Sequence, residues 1–127
     1  MKKFWKIALG TALGVASLVG VASAAIVSSA NLYTYQSSAE GSPYYYGPGY
    51  VYEDASVSTG SGTGMNAKVM KVIEYWPDSA IDTVTVTSGN PVYGRYVSLP
   101  SNTNQYYIRL EQNSNYGKAD GTGYHYR

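Results

Sequence analysis

The sequence predicts an all-β fold: a single antiparallel β-sandwich of jelly-roll or immunoglobulin-like form, with a small barrel as the alternative. Three observations carry this expectation. Short segments alternate apolar and polar residues with the period of two that a half-buried strand requires. The same segments are rich in Val, Thr and Tyr, which suit a pleated surface. Clusters of Gly, Pro, Asn and Ser punctuate them at intervals of about ten residues.

Residues 1–24, MKKFWKIALGTALGVASLVGVASA, stand outside this pattern. Lys2, Lys3 and Lys6 precede an apolar run from Ile7 to Val21, and Ala22-Ser23-Ala24 closes it. That is the charged, apolar and small-residue anatomy of a secretory signal peptide. The expected organisation is a cleaved signal over 1–24 and one domain over 25–127, working outside the cell. An uncleaved anchor from Ile7 to Val27 would be long enough to span a bilayer. Gly10, Gly14, Gly20, Thr11, Ser17 and the small-residue ending favour cleavage, which leaves no stable transmembrane segment.

In chain order, Ala30 to Gln36 and Tyr50 to Thr59 read as strands, separated by the Pro-Gly-Tyr loop EGSPYYYGPGY. Gly60 to Gly64 is a flexible loop or hairpin tip. Ala67 to Trp76 carries two patterns: Val69, Val72, Ile73 and Trp76 fit a helical face, whereas Val69, Ile73 and Tyr75 can share a strand face. Its β-branched residues favour the strand, and Pro77-Asp78-Ser79 ends the segment in either case. Asp82 to Thr87 alternates Val84 and Val86 with a row of threonines. Val92 to Leu99 follows the turn Ser88-Gly89-Asn90-Pro91. After Pro100 to Asn104 comes the clearest strand, Gln105 to Glu111, with Tyr106, Ile108 and Leu110 on one face and Tyr107 on the other. The last three strands are expected to form a meander. Gly117 to Gly123 reads as a turn and Tyr124 to Arg127 as a terminal edge strand.

Composition limits both the core and the partners. Beyond residue 24 the chain has three Leu, four Ile, nine Val and no Phe, but all fifteen tyrosines. A core of tyrosine and valine follows, since little else can fill it. With no cysteine, neither a disulfide nor a lipoprotein acylated on cysteine is possible. Of nine basic side chains, three lie in the signal. The six that remain face eight acidic ones, a net charge of −2. Such a surface has no footprint for nucleic acid and no polybasic cluster for anionic lipid.

Chemistry finds little support. His125, the lone histidine, is the third residue from the end, where frayed backbone is a poor place for a catalytic triad. One histidine without cysteine makes a poor zinc site. Glu53 and Asp54 point to opposite faces of their strand, which disfavours a paired-carboxylate mechanism. Gly60-Ser61-Gly62-Thr63-Gly64 lacks the Lys-Ser/Thr of a phosphate loop. Leu99-Pro100-Ser101-Asn102-Thr103 lacks the spacing and tail of a wall-sorting signal. No catalytic residue, metal or cofactor is therefore expected. The binding candidates are aromatic: Tyr44, Tyr45, Tyr46 and Tyr50 of the tyrosine block, outward-facing Tyr107, and Trp76, which reads foremost as a core or core-edge anchor.

A short signal, a cysteine-free body rich in Tyr, Ser and Asn, and the late segment YYIRLEQNSN resemble small proteins secreted by Gram-positive bacteria, some of them associated with bacteriocin export. The resemblance implies an envelope-associated or antimicrobial-like protein rather than a metabolic enzyme. The expected role is a non-enzymatic binding module for cell-envelope polysaccharide or a protein surface, with self-association possible through sheet edges. A bacteriocin-like effector or a self-assembling structural subunit is the alternative.

Overall fold

The computed structural model describes residues 25–45, 49–100 and 103–127. The expected signal over 1–24 and the binding candidate Tyr46 therefore lie outside the described residues. The described residues form nine strands: β1 (Ile26–Leu32), β2 (Ser38–Glu40), β3 (Tyr44–Tyr45), β4 (Tyr50–Val57), β5 (Gly64–Lys71), β6 (Ser79–Thr87), β7 (Val92–Ser98), β8 (Gln105–Gln112) and β9 (Gly121–Tyr126). They build two antiparallel sheets, ordered β1-β9-β4-β7 and β2-β8-β5-β6, with the short β3 also paired to β8. This is the eight-stranded order of a double-sheet jelly roll, so the all-β sandwich is present and the first of its two expected forms is the one adopted.

Alternation sorts side chains as the sequence implies. On β8, Tyr106, Ile108 and Leu110 are buried between the sheets. On β4, Val51, Glu53 and Ala55 point inward, leaving Tyr50, Tyr52 and Asp54 on the outer face. The apolar core has two parts. Leu32, Met65, Val86, Ile108 and Leu110 centre one, and Tyr44, Val51, Val69, Leu99 and Tyr106 the other.

Three expectations about organisation are corrected. The meander does not form: β6 and β8 lie in one sheet and β7 in the other. Successive strands therefore alternate between sheets about 10 Å apart instead of reversing within one. Residues 67–76 are neither a helix nor one strand, because β5 begins at Gly64 and ends at Lys71. Beyond it the chain turns, with the Trp76 amide donating to the Ile73 carbonyl (3.3 Å). Finally, the carboxyl-terminal strand is central, not an edge. β9 lies between β1 and β4, and Ala25 and Arg127 exchange backbone hydrogen bonds at 3.2 Å.

A tyrosine face over a buried polar row

Register places one inward-facing polar residue on each strand of the β1-β9-β4-β7 sheet, all in one row. Ser28 pairs with His125, His125 with Glu53, and Glu53 with Arg95. Glu53 and His125 are fully buried, with His125 Nε2 2.8 Å from Glu53 Oε2. The Tyr44 hydroxyl, from the opposite sheet, lies 3.0 Å from His125 Nδ1. With a neutral ring Tyr44 donates to it; with a protonated ring both nitrogens donate, and in either state both are satisfied. Burial pushes the Tyr44 hydroxyl well above its usual range, more than the nearby Arg127 lowers it. Arg127 also lies over the Tyr44 ring, 4.9 Å from its centroid. Arg95 reaches Glu53 Oε1 at 3.7 Å and forms a two-pronged pair with Asp82 of β6, bridging the sheets at their edges. Ser28 Oγ accepts the Ile108 amide at 3.3 Å. This row joins the two apolar clusters. Its carboxylate and imidazole have no solvent contact, so a ligand on the surface does not touch them.

The outer face of the same sheet is aromatic. Tyr50 and Tyr96 stack with centroids 5.4 Å apart, and Tyr52 lies edge-on to Tyr50 at 5.4 Å and to Tyr96 at 6.1 Å. Tyr52 continues to Tyr126 at 5.6 Å, and Tyr126 to Tyr124 at 5.9 Å. Five rings from three adjacent strands thus form one connected cluster on this face: Tyr96 is 60% exposed at its rim, Tyr50, Tyr52 and Tyr124 are half-buried, and Tyr126 is buried among them. Asp54 anchors it, accepting from the Tyr126 hydroxyl (3.0 Å) and the Gly94 amide (2.7 Å). Burial, then the bond to Asp54, pushes the Tyr126 hydroxyl up to about 12. Gly94 has φ 62° and sits where Tyr93 and Gly94 bulge opposite Asp54. That bulge turns Tyr93, 69% exposed, outward beside the face.

The opposite sheet's outer face is ionic, with Lys68 paired to Glu111 at 2.8 Å and Arg109 bridging Glu111 and Glu40. Burial alone would raise the Glu111 carboxyl, but Lys68 and Arg109 together hold it below its usual range.

Of the residues nominated from sequence, Tyr50 belongs to the aromatic face. Tyr45 is exposed on β3, and its carbonyl accepts from Arg127. Three are corrected. Tyr44 is a core residue held by His125. Tyr107 points away from the inter-sheet core as expected, yet it is only 5% exposed, with its hydroxyl donating to Asp78 at 2.6 Å. Trp76 is 73% exposed and anchors no core. The expectation of a frayed His125 also fails, because β9 is flanked on both sides. Tyr52, Tyr96, Tyr124 and Tyr126 were not nominated. The signal for two pairs was present: Tyr50/Tyr52 and Tyr124/Tyr126 are each two apart, which puts both rings on one face of a strand.

No protein-family model, curated protein or solved structure matches this chain.

Proposed function

We propose that this chain is a secreted, non-enzymatic binding module that adsorbs to cell-envelope polysaccharide through the outer face of the β1-β9-β4-β7 sheet. The observation that carries the reading is the connected surface of Tyr50, Tyr52, Tyr96, Tyr124 and Tyr126. Sugar rings present C–H faces that rest on aromatic rings and hydroxyl rims that need hydrogen bonds. A tyrosine surface offers both, at little cost in side-chain entropy. Ser29, Asn31, Asp54, Ser56, Ser98 and Thr122 share the face and add polar groups. Jelly rolls serve lectin domains among many others, but fold alone does not assign a function.

Co-sedimentation tests the reading. Protein beginning at Ala25 is expected to pellet with at least one of purified cell wall, peptidoglycan, cellulose, chitin or xylan. Tyr96→Ala should weaken that adsorption about tenfold, equivalent to ~1.4 kcal/mol, while leaving the melting temperature unchanged. Protein that stays in the supernatant with every glycan removes the proposal.

A further inference from the structure

The tyrosines occupy only part of this face. Strand register divides it into rows running towards the end where residues 58–63 and 113–120 connect the strands. Tyr126, Tyr52 and Tyr96 share one row, Ser29, Tyr124 and Asp54 the next, and Asn31, Thr122 and Ser56 the one after. At about 3.4 Å per residue the first and third rows are roughly 14 Å apart. The third row opens into a depression of about 280 Å³ lined by Asn31, Tyr33, Ser56, Ser58, Asp120 and Thr122. Its one aromatic wall, Tyr33, is backed by a parallel stack on Tyr35, with centroids 5.7 Å apart and planes 4° apart.

The polar groups there are oriented by the protein and only partly used. Thr122 Oγ1 donates to Asn31 Oδ1 at 2.6 Å, which fixes the amide and turns its Nδ2 into a ready donor. Asp120 Oδ1 accepts the Thr34 amide at 2.9 Å, leaving Oδ2 as an acceptor. The Asp120 backbone is itself pinned, its amide donating to Thr59 at 3.3 Å and its carbonyl accepting from the Ser58 amide at 2.9 Å. A ring wall, a fixed amide donor, a carboxylate acceptor and hydroxyls around a hollow match one sugar unit. They do not match a flat sheet of polymer, which the open tyrosine rows suit better.

We infer that this depression is a subsite for the terminal unit of a saccharide chain whose body lies along the tyrosine rows. Tyr33 would stack on the terminal ring, and Asn31, Thr122 and Asp120 would hydrogen-bond its hydroxyls. The inference rests on the polysaccharide reading above and adds polarity to it: the chain binds with its end at the 58–63/113–120 side. A site built around hydrogen bonds to hydroxyls discriminates strongly when those bonds are lost.

Titration calorimetry with soluble oligosaccharides of two to six units, derived from chitin, cellulose and xylan, tests it beside adsorption to the parent insoluble polymers. In the double variant Asn31→Ala, Thr122→Val, oligosaccharide affinity should fall about tenfold, with polymer adsorption within about twofold of the parent protein. Thr122→Val alone, nearly isosteric in a strand, should show a smaller loss of the same kind and guards against a folding defect. Tyr96→Ala should weaken both readouts. Unchanged oligosaccharide affinity in the double variant, or equal loss of both readouts, overturns the subsite while leaving the tyrosine face in place. A parent protein that binds no glycan overturns the face and the subsite together.

Discussion

At the scale of single residues, the tightest constraint is the Glu53–His125–Tyr44 chain. Its partners lie 72 and 81 residues apart in sequence, so nothing local marks them as neighbours. That is why His125 reads as a terminal histidine until the strand order is known. The inward direction of Glu53 was half legible, since adjacent residues of a strand face opposite ways and Asp54 must then face out. A buried carboxylate stripped of its partner is costly, so His125→Ala should destabilise the fold by about 3–5 kcal/mol. Glu53→Gln, which keeps the shape and a hydrogen-bonding group, should cost less. Urea midpoints of the two variants check the order, and equal midpoints would count against it. Tyr126 adds a pH dependence. Its folded hydroxyl titrates near 12 against a reference value of 10.0. The folded state therefore holds the proton more tightly. The resulting stability is complete below pH 10 and is lost as pH rises towards 12, in the same direction as for Tyr44 and Tyr107. Urea midpoints should be flat to about pH 10 and fall above it, less steeply in Tyr126→Phe.

At the scale of elements, alternation located β6 and β8 closely, because their inner and outer residues differ in polarity, whereas β7, with Arg95 inward and Tyr96 outward, was marked by the turn residues on either side of it. It could not choose their partners. The meander failed because a short turn can either reverse within a sheet or step across the sandwich, and side-chain period is identical in both cases. β2 and β3 were missed for another reason: three and two residues are too few to show a period. Their placement depends on Gly41, whose amide donates to the Ile108 carbonyl at 2.9 Å. A Cβ at Gly41 would lie 2.7 Å from the Ser29 carbonyl oxygen and 2.8 Å from its amide nitrogen. Backbone cannot swing aside as a side chain can, so Gly41→Ala should cost on the order of 3 kcal/mol. Gly60, with nothing within 4 Å of its Cβ position, is the control, and Gly60→Ala should be neutral within about 0.5 kcal/mol. Denaturation midpoints distinguish the two, and similar midpoints would mean that the 38–45 segment contributes little to the sandwich.

At the scale of the whole molecule, the jelly roll makes the end of the chain its keystone. Among the described residues β1 pairs with β9 alone, and β4 pairs with β9 and β7. Three of the five face tyrosines depend on that arrangement: Tyr124 and Tyr126 lie on β9, and Tyr52 packs against Tyr126. No reading of the last seven residues by themselves reveals this, since a central strand and a terminal edge strand share the same composition. The consequence is a sharp asymmetry in tolerance to truncation. A chain ending at Asp120 loses the strand that pairs with β1, the imidazole that satisfies Glu53, and the backbone pairing of Ala25 with Arg127. No disulfide holds what remains, and the apolar core is thin for a domain of this size. That shortened chain is expected to show no cooperative thermal transition and no near-ultraviolet tyrosine dichroism. Removing Arg127 alone, which leaves β9 intact, should lower the melting temperature by only a few degrees, roughly the effect of ~1 kcal/mol in a domain of about 100 residues. A cooperative transition in the chain ending at Asp120 would mean that the β2-β8-β5-β6 sheet folds without its partner, and that the two-sheet sandwich is not the unit of stability.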